Sequence, residues 1–201
     1  MLYSLAGCSS NTNQSTNSLN NINFKPKDTS FFGRLSDSAI SLTLQKVSYD
    51  PSYFIIAYPN GDIPSNKGVC SDVVIRAYRK MGIDLQRKVH EDMLANFDKY
   101  PHKWNLSSTD KNIDHRRVPN LMTFFRRNQA QLPITSLPSN YKPGDIVCWN
   151  LPGNLTHIGI VIDSTNLYGK TNFIVHNIGG GQVVQDCLFS FKIIGHYRFK
   201  G

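Results

Sequence analysis

The sequence predicts an α+β domain in which a cysteine-bearing helix packs on an antiparallel β-sheet. Three observations predict it. Helical periodicity runs through the first two thirds of the chain, and the last sixty residues turn to strand alternation. Helices followed by strands imply an antiparallel sheet rather than a wound parallel one. Once a polar N-terminal stretch is set aside, about 175 residues remain, the size of one domain. Such a domain buries roughly 70% of its unfolded surface and needs no staples. With 40% hydrophobic and 11% aromatic residues, the chain can supply that core.

Leu35, Ala39, Leu42 and Val47 place a short amphipathic helix over Ser36 to Val47, with Ser36 or Asp37 as its cap. Tyr53 to Tyr58 is aromatic and β-branched and reads as a strand, closed by the turn Pro59-Asn60-Gly61-Asp62. Ser71 to Met81 is the clearest helix, with Val73, Val74, Ala77, Tyr78 and Met81 on one face. Asp72 lies in its first turn, Arg79 and Lys80 in its last, and Gly82 supplies the stop. Two more helices are expected over Val89 to Tyr100 and Pro119 to Asn128, the second started by its proline. Strands follow at 145–150, 157–163, 172–177 and 193–199.

The N-terminus has a different character. Leu5-Ala6-Gly7-Cys8 resembles a bacterial lipobox, which marks Cys8 for lipidation. The basic and apolar regions of a full signal peptide do not precede it, so residues 1–8 read as a truncated signal. Ser9 to Asn23 holds thirteen Ser, Asn, Thr and Gln residues among fifteen, a composition that cannot bury enough surface to fold. Residues 9–30 are therefore expected to be a disordered tether, and 31–201 the folded domain. The expected address is the cell envelope, in the periplasm or at the outer membrane, with the protein held to the membrane through a lipid anchor.

A net charge of +8 favours anionic surroundings such as nucleic acid, anionic lipid or a carboxylate-rich cell wall. The basic residues are scattered, with no basic tract or aromatic–basic RNA motif, so no nucleic-acid partner is expected. A monomer is expected. No apolar run reaches 18 residues, so no spanning helix is expected in this chain. The four cysteines, at 8, 70, 148 and 187, form no CxxC pair, which argues against a zinc ribbon or a redox motif. A Cys148–Cys187 disulfide is allowed in an oxidising compartment.

Cys70 opens the clearest helix, where exposed N–H groups and the helix dipole favour a thiolate. His157-Ile158-Gly159-Ile160-Val161 and Asn172-Phe173-Ile174-Val175-His176 both alternate. If Asp163 pairs with Lys170, His157 falls opposite His176, and the two imidazoles share one face. That face is expected to look toward the Cys70 helix, with Gly159 leaving room for the helix to approach. A thiol, a base and a second polar group that orients the base form the logic of a nucleophilic triad. A metal held by Cys70, His157 and His176 would lack a fourth ligand, so neither metal nor cofactor is expected. His90, His102 and His196 read as structural. Asp114-His115-Arg116-Arg117 is too polar for a core and is the candidate substrate-binding run, since Arg116 or Arg117 could grip a carboxylate bidentately.

Gly68-Val69-Cys70-Ser71-Asp72 with its helix, Tyr141-Lys142-Pro143-Gly144-Asp145, and Thr156-His157-Ile158-Gly159-Ile160 together resemble the NlpC-type papain-like cell-wall peptidases. More closely, Asn112-Ile113-Asp114-His115-Arg116-Arg117-Val118-Pro119-Asn120-Leu121 and Gly195-His196-Tyr197-Arg198 resemble a bacterial domain family of unknown function within that superfamily. The resemblance covers residue 48 to the end. It implies a papain-like fold and a cysteine amidase or peptidase that hydrolyses amide bonds in peptidoglycan stem peptides. Cys70 would be the nucleophile, His157 the base and His176 the orienting group. Acyl transfer on the same fold and a non-catalytic envelope-binding lipoprotein are the alternatives. The chain departs from the peptidase pattern in two ways. Val69-Cys70-Ser71-Asp72 stands where Asp-Cys-Ser-Gly is usual, and a long insert separates helix from strands.

Overall fold

The computed structural model describes residues 28–104, 106–165 and 171–201. Cys8, the lipobox and nearly all of the tether lie outside these residues, as does Lys170. The described chain runs α1 (Phe31–Leu42), β1 (Ser48–Tyr49), β2 (Lys67–Gly68), α2 (Cys70–Lys80), α3 (Leu85–Ala95) and α4 (Val118–Arg127). It continues as β3 (Ile146–Leu151), β4 (Leu155–Thr165), β5 (Asn172–Asn177), β6 (Gln182–Gln185) and β7 (Lys192–Tyr197). The last five strands form one antiparallel sheet in the order β6-β5-β4-β3-β7. The α+β architecture expected from the sequence is the one the chain adopts. No described helix is long and apolar enough to cross a membrane.

The sheet has two unlike faces. Ile146, Cys148, Ile158, Ile160, Ile162 and Val175 join the helices in the main core, where Leu35, Val73, Val74, Ala77 and Tyr78 are fully buried. Val147, Trp149, Val161 and Ile174 point the other way, into a smaller core closed by Tyr141, Cys187 and Leu188. Period-2 alternation puts successive residues on opposite faces, so each strand feeds both cores.

Several elements differ from expectation for identifiable reasons. The first helix begins at Phe31 because Ser30 caps it, its hydroxyl accepting the Gly33 N–H at 3.1 Å. Ser36 is buried inside that helix and accepts the Asp163 N–H at 2.9 Å, tying α1 to β4. Residues 53–58 join no sheet, and the Ile56 N–H donates to the Asn112 side chain at 3.0 Å. The third helix starts at Leu85, behind an Asp84 cap, and stops at Ala95. The short edge strand β6 follows three glycines and carries too little alternation to stand out. Cys148 and Cys187 are free, and they lie on opposite faces of the sheet, which excludes the allowed disulfide.

Candidate functional site

Cys70 is the first residue of α2, entered from Val69 in an extended conformation. Asp72 accepts the Val69 N–H at 2.7 Å and so fixes the turn that presents the thiol. The same carboxylate receives the Arg116 guanidinium at 3.0 and 3.1 Å, and the Ser71 hydroxyl donates to the Arg116 carbonyl at 2.7 Å. The long insert between helix and strands carries Arg116, and Asp72 is its buried partner. Breaking one side of such a pair leaves a buried charge and costs about 3–5 kcal/mol. The pair is therefore a clamp that locks the insert onto the start of the cysteine helix.

The backbone N–H groups of Ile158, Ser71 and Cys70 pull the thiol toward its ionised form, the first of them from the peptide that follows His157. Burial is nevertheless the largest influence and pushes the Cys70 thiol up to about 11, against the pull of these donors. The thiolate expected from the helix terminus alone is not the resting form: desolvation outweighs the dipole.

His157 and His176 share a face, as expected, but the register is shifted by two. Ile160 pairs with Val175 and Val161 with Ile174, which sets His176 opposite Gly159 and makes His157 its diagonal neighbour. Diagonal positions are within reach of ring side chains. The His157 Nε2 and His176 Nδ1 atoms are 2.8 Å apart, with the rings nearly perpendicular. The next step is diagonal again. His176 pairs with Val183, yet its Nε2 meets Gln185 Oε1 at 2.9 Å, with Cys187 Sγ at 3.6 Å. A relay thus crosses β4, β5 and β6. The His176 Nε2 carries the proton that Gln185 accepts, so His176 Nδ1 accepts from His157 Nε2–H. This leaves His157 Nδ1 as an unprotonated base, and no described residue hydrogen-bonds it.

The face that carries the pair is a correction. His157 stacks at a tilt on Trp149, 5.8 Å away, on the side of the smaller core, and not toward the helices. Gly159 accordingly makes room for a different neighbour. A Cβ there would lie 2.6 Å from Ile174 Cγ2 and 3.1 Å from His176 Cβ. The missing side chain lets His176 lean across to His157. Among the described residues no hydrogen bond joins Cys70 to the His157 ring; catalytic hydrogen bonds are often long before substrate binds. Burial, then the neighbouring His176, hold His157 down to about 3, so the imidazole is neutral at rest.

A cleft of about 220 Å³ opens over Cys70, lined also by Tyr49, Trp104, Arg116, Arg117 and Thr156. The four residues of the candidate binding run take different places. Asp114 is fully buried, meeting His90 at 3.1 Å and the Asp110 N–H at 2.7 Å. His115 is buried with Nδ1 unpartnered, and burial holds it down to about 3. Neither lines the cleft. Arg116 is held by Asp72. Arg117 stacks on Trp104, 4.2 Å from the ring centre, and its Nη1 has no partner. Tyr49, Trp104, Gln185 and Cys187 stand at the site without having been expected there. None of them carries a signal in the sequence, since β6, which holds Gln185, is too short to show alternation.

With this geometry in hand, the chain can be placed. It belongs to the family described as Domain of unknown function (DUF1287), whose model matches residues 36–199. The Escherichia coli (strain K12) protein named Uncharacterized protein YijF is 49% identical over 165 residues, covering 82% of this chain and 80% of its own. Two solved structures are also similar. The N-acetylmuramoyl-L-alanine amidase from Bacteroides uniformis ATCC 8492 gives a TM-score of 0.47 at 13% identity, over 83% of this chain and 98% of that one. NlpC1 from Trichomonas vaginalis gives 0.45 at 14% identity, over 82% of this chain and 44% of that protein.

Proposed function

We propose that this protein is a cell-envelope cysteine hydrolase that cleaves amide bonds in the peptide part of peptidoglycan. The observation that carries the reading is the thiol of Cys70 at a helix start, under a cleft, one peptide away from a histidine whose far nitrogen is fixed by a second histidine. Cys70 Sγ attacks the amide carbonyl as its proton passes to His157 Nδ1. Backbone N–H groups around the thiol stabilise the oxyanion. The C–N bond then breaks, His157 returns the proton to the departing amine, and a thioester remains. Water, deprotonated by His157, attacks that thioester, and the proton goes back to the sulfur. His176 orients His157 through Nε2 and spreads the positive charge that forms.

Because both groups rest neutral, the proton moves with the attack and does not precede it. The opposite charges that form attract each other strongly at the low dielectric around them, which offsets part of the cost of keeping them out of water. Arg117, which lines the cleft with its guanidinium stacked on Trp104, is the group that binds a carboxylate of the stem peptide. The basic surface suits an anionic wall, and lipidation at Cys8 would keep the enzyme in the envelope. Labelled palmitate on the full-length product, lost in Cys8→Ser, tests the anchor; absence of label on the wild type contradicts it.

The activity is tested by incubating isolated peptidoglycan with the protein and reading the fragments by mass spectrometry. New amine and carboxyl ends should appear with wild type and not with Cys70→Ser. Equal release by both would overturn the nucleophile. Transfer of the acyl group to an added amine without hydrolysis would make the protein an acyltransferase.

A further inference from the structure

Two depressions meet at Tyr49. One is the cleft over Cys70; the other, about 580 Å³, runs between residues 43–48 and the Gly179-Gly180-Gly181 loop. Tyr49 lines both and stands 45% exposed, and its backbone pairs with Gly68, two residues before the nucleophile. The groove is also tied from below to β2, the strand that leads into the Cys70 helix. The Asn177 side chain donates to the Gly68 carbonyl at 3.2 Å and accepts the Gly179 N–H at 3.1 Å. A ligand lying across Tyr49 would therefore occupy both depressions at once.

The two depressions differ in chemistry. The cleft offers Arg117 stacked on Trp104, suited to an anion. The groove offers neutral hydrogen-bonding groups from Thr43, Gln45, Ser48 and Gln182, with Lys46 its one charged side chain. Gln182 is 6% exposed; its Nε2 donates to the Leu42 carbonyl at 2.8 Å and its Oε1 has no partner. Gly179 and Gly180 leave the opposite wall bare, since a Cβ on either would meet no atom within 4 Å. A volume of this size suits a compact ligand unit. Neutral donors and acceptors with one aromatic at the edge match hydroxyl and N-acetyl groups better than carboxylates.

We infer that the groove beyond Tyr49 is a second subsite that holds a neutral saccharide unit, while the anionic peptide lies over Cys70. The inference rests on the peptidoglycan reading and deepens it: the enzyme prefers stem peptides still joined to sugar. Calorimetry on Cys70→Ala separates the two ideas, because it reads binding without turnover. The probes are the disaccharide-tetrapeptide released from peptidoglycan and the same tetrapeptide without sugar. The sugar-bearing ligand should bind about tenfold tighter or better. Gly180→Trp fills the open wall without left-handed strain and should abolish that gain while leaving the bare tetrapeptide unchanged. Independently of any groove variant, the amide resonances of Gly179, Gly180 and Gly181 should shift with the sugar-bearing ligand only. Equal affinity for both ligands, or equal loss of both in Gly180→Trp, would overturn the saccharide subsite and leave the peptidase reading standing. Failure of both ligands to bind would overturn the two together.

Discussion

The molecule buries two histidine clusters on the same sheet, and they are built to opposite ends. His196 is fully engaged. Its Nδ1 lies 3.0 Å from the Pro133 carbonyl, its Nε2 lies 2.8 Å from Asp145, and its ring stacks on Tyr141 at 4.3 Å. Asp145 is engaged in turn, receiving Arg198 at 2.6 and 2.9 Å. The His157–His176 relay holds no carboxylate and ends in the neutral amide of Gln185, leaving one nitrogen of His157 without a described partner. A network with every lone pair and proton satisfied fixes a fold. One with a basic nitrogen left over keeps a group that can take up a proton.

This contrast can be broken by substitution, and the largest effect belongs to Cys70. Cys70→Ser nearly preserves volume, and turnover on peptidoglycan should fall by at least about a thousandfold, or roughly 4 kcal/mol of barrier. Thermal melts should barely move. His157→Ala should cost a comparable factor, since members of such a unit are not additive. At the other cluster, Asp145→Ala should lower stability by about 3–5 kcal/mol by stranding Arg198 and His196, with the surviving folded fraction keeping its turnover number. Denaturant melts beside active-site titration check the split. If Asp145→Ala and His157→Ala change activity and stability in the same proportion, the two clusters do not differ in kind.

Gly159→Ala sharpens the contrast inside the relay. The added methyl meets Ile174 and His176 at 2.6 and 3.1 Å, so the β5 backbone must give way. Overpacking of this kind costs about 1–3 kcal/mol, and moving His176 off His157 should lower turnover by more than the loss of folded protein explains. His176→Asn should retain more activity than His176→Ala, because an amide can still accept from the imidazole.

The smallest effect is on pH dependence of stability. His157, His115 and His176 all have their protonation held below the ordinary histidine range, chiefly by burial. Each is neutral in the fold while the unfolded chain takes up a proton near 6.5. The contribution of His157 and His115 is complete above about pH 6.5 and is lost as the pH falls toward 3, and that of His176 is lost in the same direction. The melting temperature should therefore drop between pH 6.5 and 4, and His115→Gln should flatten part of that slope. Thiol alkylation supplies the other limb. With Cys70 pushed up to about 11, labelling should be slow at pH 6 and climb steadily with pH. Fast labelling at pH 6 would mean a preformed thiolate.

Much of this was readable along the chain, and the reasons differ by element. The cysteine helix, the four long strands and the shared face of His157 and His176 follow from periodicity, which a register shift of two leaves intact. Which core that face joins was not readable, because Ile158 and Val161 are equally apolar and alternation names two faces without ranking them. The role of Asp72 was hidden for another reason. Its partner Arg116 lies 44 residues away, and only the folded insert brings them together. The fate of the thiol depended on burial, which no local pattern reports. Arg116 and Arg117 are adjacent and chemically alike, yet one is spent on Asp72 and the other faces the cleft.

The central claim is that Cys70 forms a covalent bond with substrate. Acid-quenched mixtures of protein and disaccharide-tetrapeptide, read by intact mass and then by peptide mapping, test it most directly. The account predicts an acyl adduct on the peptide that contains Cys70, cleared on longer incubation as product accumulates, and absent from Cys70→Ser. Product release with no adduct at any time, undiminished in Cys70→Ser, or an adduct on Cys148 or Cys187 instead, would contradict it.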